Sequence, residues 1–467
     1  MTDDSKAPLW IPSISKAAGP LYLAIADALQ ADIRSGRLAA GSRLPPQRAL
    51  AEALGVDFTT VTRAYAEARQ RGLVEGRVGQ GTYVRQSRAP LRAQKPAAGG
   101  LVDLSMNLPP HFDDGTLGRQ LWQAIATLEA QDGLDLLLRY QQPGGAIRDR
   151  EAGVAWLASR LPGVTAERLL VAPGAQGAIL ATLGALAAPG DTICAEALTY
   201  PGLLSAAAHL RLAVAGVSID ENGMIPEAFE AICMQRRPKL LYCNPTLNNP
   251  TTITLPLDRR RAIAAIAEKY DVAIIEDDAY GALPARPVPT LASLAPQRTY
   301  HIAGLAKSLS PALRIAYLAV PDLRAATRLS AVIRATAAMA SPLTAAVASR
   351  WIEDGTAGKV LAAIRSEARA RQMIAAELLP RQAVQTDPEG FHLWLRLPPA
   401  WARGEFTARL RAAGVGAVAS DAFAIGAAPE ALRLGLGAAE SAAHLRESLG
   451  IISDLLGAAP AASTLVI

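Results

Sequence analysis

The sequence predicts a multidomain chain: a small N-terminal winged helix-turn-helix module followed by a large α/β body. The 467 residues exceed the length of one typical domain. The net charge of +5 lies at one end: residues 14–92 carry +6, residues 1–13 carry −1 and residues 93–467 sum to zero. After Leu101, short apolar runs alternate with Ala- and Leu-rich helical segments, which is typical of a parallel sheet covered by helices.

Composition narrows the class of protein further. A hydrophobic content of 51% and a mean hydropathy of +0.18 suffice for a large buried core. No apolar run is long enough to span a membrane, and the acidic residues 1–4 lack a signal core, so we expect a cytoplasmic protein without a membrane partner. The three cysteines and five histidines show neither disulfide nor metal-ligand spacing, so we expect no metal.

The basic module, residues 14–85, begins with three predicted helices. Apolar residues at every fourth position from Leu21 to Ile33 predict the first helix. Pro45-Pro46 precedes a second helix over Gln47–Leu54, and a short turn leads to a third helix over Thr59–Arg71. The predicted core face of this third helix consists of Val61, Ala64, Tyr65 and Ala68.

Two β-type segments, 73–77 and 79–85, then predict a hairpin, or wing. Thr59, Thr60 and Arg63 open the third helix, and these residue types suit contacts with base edges from a recognition helix. Together with the positive charge they favour nucleic acid as the partner. An ordinary helical protein–protein domain is the alternative.

This module resembles the winged helix-turn-helix of GntR-type regulators. The resemblance is carried by Leu44–Ala51, Leu54–Val56, Thr59–Tyr65 and Gly79–Val84. It implies a double-stranded DNA operator as partner. It further implies that Arg43, Arg48 and Arg63 contact phosphates or base edges, with Gly81 at the tip of the wing in the minor groove. Residues 86–100, basic and rich in Pro, Ala and Gly, predict a flexible linker to the second part.

The body, residues 101–467, contains short apolar runs that predict buried parallel strands. These runs are 169–172, 192–195, 212–217, 240–243, 272–275 and 300–303. Because ligands in open α/β sheets bind at the carboxyl ends of the strands, the loops that follow these runs are the candidate site.

The loops offer complementary chemical groups, each with a plain alternative. Pro173–Gln176 opens a helix and predicts a phosphate site or a simple turn. Tyr200 precedes a proline and suits either ring stacking or packing, and Asn244–Thr251 is a rigid turn with amide donors. The carboxylates of Glu276-Asp277-Asp278 suit a cofactor or a metal.

The stretch from Lys307 to Arg314 adds an amine and a guanidinium to the chemical groups that these loops offer. Taken alone, Lys307 among small residues is more typical of a solvated lysine. Together with the phosphate loop, the aromatic, the amides and the carboxylates, it indicates pyridoxal 5′-phosphate, whose aldehyde requires a lysine.

In the order of these elements, residues 101–467 resemble a fold-type I, class I aminotransferase. The resemblance implies that Lys307 forms an aldimine, a Schiff base, with the cofactor, that Asp277 pairs with the pyridine nitrogen, and that Arg433 binds a substrate carboxylate. It also implies roles for residues that hold the ring and the phosphate: Tyr200 stacking on the ring, Tyr280 and Asn249 bonding its oxygen, Gly174, Ala175, Gln176, Ser308 and Arg314 at the phosphate, and Tyr140 reaching the phosphate from a partner subunit.

The sequence departs from the aminotransferase pattern at four positions. Thr252 stands where glycine is usual, and Gly304, Ala306 and Ala175 lack the hydroxyl groups that often bind phosphate. The departures bear on the affinity for the cofactor rather than on its identity.

A GntR-type winged helix fused to an aminotransferase-like body is the organisation of the MocR-type regulators. The resemblance implies a homodimer with domain exchange that regulates transcription. It would sense a small amino compound, or pyridoxal phosphate itself, through the aldimine at Lys307. Two alternatives stay open: a catalytically active class I aminotransferase with an accessory DNA-binding module, and a DNA-binding protein whose body holds no cofactor.

Overall fold

The computed structural model describes residues 10–12, 20–34, 37–39, 41–71, 73–77, 81–84, 102–110, 115–132, 135 and 137–458. The chain divides into two compact units, Met1–Ala98 and Gly99–Ile467. The predicted linker at 86–100 lies outside the described residues. Among the helices that are described, none is both long and apolar enough to cross a membrane.

The first unit consists of three helices and a two-stranded hairpin. Its elements are α1 (Leu21–Arg34), α2 (Gln47–Leu54), α3 (Phe58–Gln70), β1 (Val74–Arg77) and β2 (Gly81–Val84). The hairpin is antiparallel, with Val74 opposite Val84 and Arg77 opposite Gly81. The predicted winged helix-turn-helix is thus confirmed, although α3 begins and ends one residue earlier than expected.

The helix boundaries of the first unit follow from local chemistry. Gly55, with φ of +62°, ends α2 in the left-handed conformation that glycine adopts readily. Asp57 caps α3 by accepting a hydrogen bond from the backbone N–H of Thr59. The four residues predicted to face the core from α3 are all buried, and the Tyr65 hydroxyl donates to the Pro45 carbonyl at 2.8 Å, tying α3 to the start of α2.

The second unit alternates helices and strands along most of its length. The helices are α4 (Thr116–Asp132), α5 (Ile147–Leu157), α6 (Gly174–Leu186), α7 (Pro201–His209), α8 (Pro226–Arg236), α9 (Leu257–Lys269), α10 (Leu291–Leu294), α11 (Leu323–Ala337), α12 (Pro342–Glu353), α13 (Thr356–Leu378), α14 (Arg403–Ala412) and α15 (Ala442–Gly457). The strands are β3 (Val102–Asp103), β4 (Leu169–Ala172), β5 (Thr192–Glu196), β6 (Ala213–Val217), β7 (Ile219–Asp220), β8 (Gly223–Met224), β9 (Leu240–Cys243), β10 (Ala273–Asp277), β11 (Thr299–Gly304), β12 (Ala316–Ala319), β13 (Val384–Thr386), β14 (His392–Arg396), β15 (Val415–Gly416), β16 (Val418–Ala419) and β17 (Ala431–Gly435).

The main sheet of this unit has seven strands among the described residues, in the order β4-β12-β11-β10-β9-β5-β6. All pairs are parallel except those of β12, which runs antiparallel to both β11 and β4. Side chains of β4, β9, β11 and β12 are buried, and helices pack on the sheet through three apolar clusters. The six predicted strands are all present, but β6, at the edge of the sheet, is only partly buried. The antiparallel β12 was not predicted as a strand.

A smaller antiparallel sheet, β13-β14-β17-β16, forms the C-terminal part of the unit and packs against α13, α14 and α15. Strand β3 pairs in parallel with β15, which fixes the start of the unit against this part. The segment after β3, residues 104–108, is thereby brought to the large cavity described next.

Candidate functional site

A cavity of about 640 Å³ lies where the loops after the main-sheet strands meet the segment after β3 and strand β17. Ten of the residues predicted for the cofactor and effector site line it: Gly174, Ala175, Gln176, Tyr200, Asn249, Asp277, Tyr280, Lys307, Arg314 and Arg433. These residues span about 260 positions of the chain. Most of them come together because the parallel strands end at one edge of the main sheet, and Arg433 joins them from strand β17 of the C-terminal sheet.

Lys307 and Arg314 enter the cavity from the connection between β11 and β12. The Lys307 Nζ donates to the backbone carbonyl of Asn107. Desolvation, with the positive charges of Arg433 and Arg314, lowers the pKa of Lys307 to about 8, and Asp277 opposes that shift. More of this amine than of an ordinary lysine is therefore uncharged near neutral pH, and the uncharged form is the nucleophile.

Asp277 ends β10 and is 4% exposed. Its Oδ2 accepts a hydrogen bond of 2.6 Å from the Tyr242 hydroxyl, whereas its Oδ1 is buried with no partner among the described residues. Burial raises the pKa of Asp277 to about 6, the bond from Tyr242 lowers it, and the charge of Asp278 raises it again. A buried carboxylate oxygen without a donor fits a protonated ring nitrogen as its partner.

The first turn of α6 forms an anion cradle at another side of the cavity. Gly174 opens the helix with φ of +78°, and the backbone N–H groups of a first helical turn have no partner within the helix. A Cβ added to Gly174 would lie 3.4 Å from Nη2 of Arg314, so the guanidinium approaches the bare backbone. The Gln176 side chain donates instead to the Gly202 carbonyl at 2.8 Å.

Polar groups also surround Tyr280. Its hydroxyl accepts from Asn107 Nδ2 at 2.8 Å, and the backbone N–H of Asn249 donates to Asn244 Oδ1 at 2.8 Å. The Asn249 Oδ1 is buried and has no partner in the described part of the chain. Tyr200, half-buried, lies at the start of α7. The cavity therefore offers polar groups and an aromatic ring to a flat ligand with polar edges.

Arg433 supplies a cation from the C-terminal sheet. It lies in β17, its guanidinium carbon is 5.5 Å from the centre of the Phe423 ring, and its Nη2 donates to the Ser105 carbonyl. Its Nε is buried without a hydrogen-bond partner within the described ranges. A buried guanidinium with free donor capacity suits a carboxylate ligand.

Two predicted cofactor residues do not line the cavity. Ser308 is 1% exposed, and its hydroxyl has no hydrogen-bond partner in the part of the chain that is described. Tyr140 is 88% exposed on the surface of the unit. A phosphate contact from either residue stays a prediction.

Four residues around the site were not assigned roles from the sequence. Tyr242 lies within an apolar strand, Asn107 is 173 positions from its partner Tyr280, and Asn244 donates from Nδ2 to the Asp277 carbonyl at 2.6 Å. His392 lies 5.3 Å from the Tyr280 ring; burial lowers the pKa of His392 to about 3, so it is neutral. Of these four residues, only Asn244 could have been identified from the sequence, because it belongs to the Asn-Pro turn that follows a predicted strand.

The acidic residues beside Asp277 are paired with other groups of the protein. Asp278 forms a salt bridge of 2.6 Å with Arg160, and Glu276 lies 3.0 Å from His301 Nδ1. Glu276 also accepts from the N-terminal backbone N–H groups of α10. Among the described residues no cluster of His, Cys, Asp and Glu is arranged to hold a metal ion.

The residues predicted to contact DNA lie on the surface of the first unit. Arg43, Arg48, Thr59, Arg63 and Gly81 are exposed, and Thr60 is half-buried. Arg43 lies against the wing, since a Cβ added to Gly81 would be 3.1 Å from its Nε. The Thr59 hydroxyl donates to Asp57 at 2.5 Å and therefore has only its lone pairs free.

A winged helix joined to a unit with the aminotransferase fold defines a class of transcription regulator, and comparisons with known proteins support this class. The family model for bacterial regulatory proteins of the gntR family matches residues 21–84, and that for class I and II aminotransferases matches residues 100–452. The chain belongs to the MocR-type subgroup of the GntR transcription regulators.

Relatives match along most of their length. The chain is 32% identical to the HTH-type transcriptional regulator YdeF of Bacillus subtilis, covering 96% of both chains. It is 27% identical to the HTH-type transcriptional regulator TauR of Rhodobacter capsulatus, covering 82% of this chain and 85% of that protein. It is also 27% identical to the "Probable rhizopine catabolism regulatory protein MocR" of Rhizobium meliloti, covering 78% of each.

Solved structures share the fold of the second unit. Kynurenine aminotransferase of Pyrococcus horikoshii superposes with a TM-score of 0.69 at 23% identity, covering 76% of this chain and 91% of that one. The α-aminoadipate aminotransferase LysN of Thermus thermophilus superposes with a TM-score of 0.69 at 22% identity, covering 84% of this chain and 98% of that one. At these identities the likeness establishes the fold alone.

Proposed function

We propose that this regulator binds pyridoxal 5′-phosphate covalently through Lys307 and senses either an amino compound or the cofactor itself. One observation carries the proposal: Lys307, with its lowered pKa, and Asp277, with a buried oxygen that lacks a donor in the described chain, line the same cavity. When bound, the cofactor supplies an aldehyde that condenses with amines and a ring that withdraws electrons once its nitrogen is protonated.

Each residue of the cavity has a task in this proposal. Lys307 offers the amine, and Asp277 keeps a proton on the ring nitrogen. The first turn of α6 and Arg314 bind the phosphate through N–H groups and a positive charge. The remaining assignments are Tyr200 against the ring, Tyr280 and Asn249 at the ring oxygen, and Arg433 at an effector carboxylate.

The proposal extends to the whole chain. Residues 14–85 would bind the operator through Arg43, Arg48, Thr59, Thr60, Arg63 and Gly81, and residues 86–100 would link them to the sensor at 101–467. With the cofactor bound, Lys307 would change its contacts when an effector amine takes its place, and Arg433 would bind a carboxylate of that effector. Its effect on DNA binding is limited by the difference in its affinity for the two conformations of the regulator.

Absorbance spectroscopy of the full-length protein tests the cofactor site. We expect wild type incubated with pyridoxal phosphate to retain after gel filtration the absorbance band of a Schiff base, which lies at longer wavelength than that of the free aldehyde. The Lys307→Ala variant should lose this band because the covalent bond cannot form. Lys359→Ala, which removes an exposed lysine of α13, is the matched control and should keep the band. Retention of the band in Lys307→Ala would refute the assignment of Lys307.

A second assay separates the proposed regulator from an active aminotransferase. Addition of amino compounds one by one should shift the absorbance band for an effector and change the affinity for DNA. If instead the protein turns over several amino donors with a keto acid, the enzyme alternative is correct and sensing is secondary.

A further inference from the structure

The start of α3, the predicted recognition helix, carries an exposed aromatic residue to which no role in DNA binding has been assigned. Phe58 is the first residue of α3 and is 43% exposed. It belongs to the outer stripe of the helix, whose members Phe58, Thr59, Thr62, Arg63 and Ala66 are all exposed. The opposite stripe is buried in the core, so the outer stripe is the face available to DNA.

Polar groups near Phe58 are engaged within the protein. The Asp57 carboxylate accepts from the backbone N–H of Thr59 at 2.7 Å and from its hydroxyl at 2.5 Å. The Thr62 hydroxyl lies within hydrogen-bond distance of Gln47 Oε1, at 2.9 Å, and of the Phe58 carbonyl, at 3.0 Å. The hydroxyl protons of these two threonines are therefore already donated within the protein. The Phe58 ring is exposed beside them and available for contact with a base.

Arg48 holds the ring from the side of α2. Its guanidinium carbon lies 5.8 Å from the centre of the Phe58 ring, within the range of a cation–π contact. The side chain of Arg48 is exposed, as DNA binding requires. The pair thus presents a positive charge and an apolar surface side by side at the N-terminal end of the recognition helix.

We propose that Phe58 is a specificity-determining residue that contacts the 5-methyl group of a thymine in the major groove of the operator. The thymine methyl is the apolar group that distinguishes a base pair in that groove, and aromatic rings contact it. Arg48, held by the ring, binds next to it at a phosphate or a base edge. The inference rests on DNA binding by the first unit and is independent of the cofactor site.

Replacement of thymine by deoxyuridine tests the contact, because deoxyuridine pairs in the same way but lacks the methyl group. The probe is a duplex selected from a random-sequence library by the full-length protein, with each thymine of the site replaced singly. We expect the substitution at one thymine of a half-site to weaken binding of the wild-type protein about fourfold, which is the loss of affinity expected for one buried methyl group. Phe58→Ala should bind the thymine duplex more weakly and no longer distinguish it from the deoxyuridine duplex.

Two controls separate this contact from other roles of Phe58. Phe58→Leu keeps an apolar group and should keep the preference for thymine; it also serves if binding by Phe58→Ala is too weak to measure. Phe58→Ala should leave the salt dependence of binding nearly unchanged, since the ring itself carries no charge and Arg48 keeps its own. Equal binding of wild type to all thymine and deoxyuridine duplexes, or a preference that persists in Phe58→Ala, would overturn the proposal.

Discussion

At the scale of single residues, the hydrogen bond from Tyr242 opposes the effect of burial on the charge of Asp277. Burial raises the pKa of Asp277 to about 6, and the 2.6 Å bond from Tyr242 keeps it from rising further. Above that pH the carboxylate is charged and, in the proposed cofactor complex, would hold a protonated ring nitrogen. Below it the carboxyl group takes up a proton and this interaction is lost, so we expect cofactor affinity to fall as the pH drops through about 6.

Tyr242→Phe should move this loss of affinity to higher pH. The variant keeps the ring but removes the donor, and a hydrogen bond to a charged group contributes enough to shift the midpoint upward by about one to two pH units. Cofactor affinity measured by absorbance titration across pH checks this, with Tyr300→Phe as control because Tyr300 bonds Arg328 outside the cavity lining. An unchanged midpoint in Tyr242→Phe would show that the bond does not set the charge of Asp277.

The sequence predicted the site residues that follow strands, and missed those that reach the cavity by other routes. Asp277 ends strand β10 and Lys307 lies in the loop after β11, and both positions follow from the parallel sheet. Tyr242 has the same apolar neighbours as any core tyrosine, and Asn107 reaches Tyr280 only through the pairing of β3 with β15. Ser308 follows Lys307 in sequence but does not line the cavity, because adjacent residues of a turn need not face the same side.

At the scale of secondary structure elements, the first turn of α6 depends on glycine. An alanine at Gly174 would have to adopt φ of +78°, which costs about 1–2 kcal/mol, and its Cβ would contact the Arg314 guanidinium at 3.4 Å. We expect Gly174→Ala to weaken binding of pyridoxal phosphate by about tenfold or more, the loss of roughly one charge-assisted hydrogen bond. Isothermal titration of the full-length protein measures this affinity.

Gly184→Ala provides a matched control within the same helix. A Cβ at Gly184 has no atom within 4 Å, so the added methyl group meets open space and favours the helix by about 0.5–1 kcal/mol. The control should raise thermal stability slightly and leave cofactor affinity unchanged. Equal affinity in the two variants would show that the backbone of Gly174 does not bind the phosphate.

The elements that the sequence failed to predict share a physical cause. Strand β12 lies in an apolar run beyond Arg314, and a buried run carries no periodicity that marks it as a strand or gives its direction. The C-terminal sheet is built from strands of two to five residues, too short for a periodic pattern. The six predicted strands were recognisable because each apolar run ends in a turn or polar loop.

At the scale of the whole molecule, exposed apolar side chains of the second unit indicate a partner. Trp122 on α4 is 71% exposed, and Leu138 and Tyr140 in the segment before α5 are 76% and 88% exposed. Large apolar side chains left in water are typical of an interface. They support the proposed homodimer, in which Tyr140 would complete the phosphate site of the other subunit.

A mixing experiment tests whether the site is shared between subunits. Lys307→Ala alone cannot bind the cofactor covalently, and Tyr140→Ala alone should bind it weakly. In a hybrid dimer the subunit with native Lys307 faces the native Tyr140 of its partner, so one of the two sites is fully native. We expect mixed and re-equilibrated variants to regain tight cofactor binding in proportion to the hybrid dimers formed. If Tyr140 acts within its own subunit, no native site forms in the hybrid. The mixture should then bind no more cofactor than the average of the two variants measured separately.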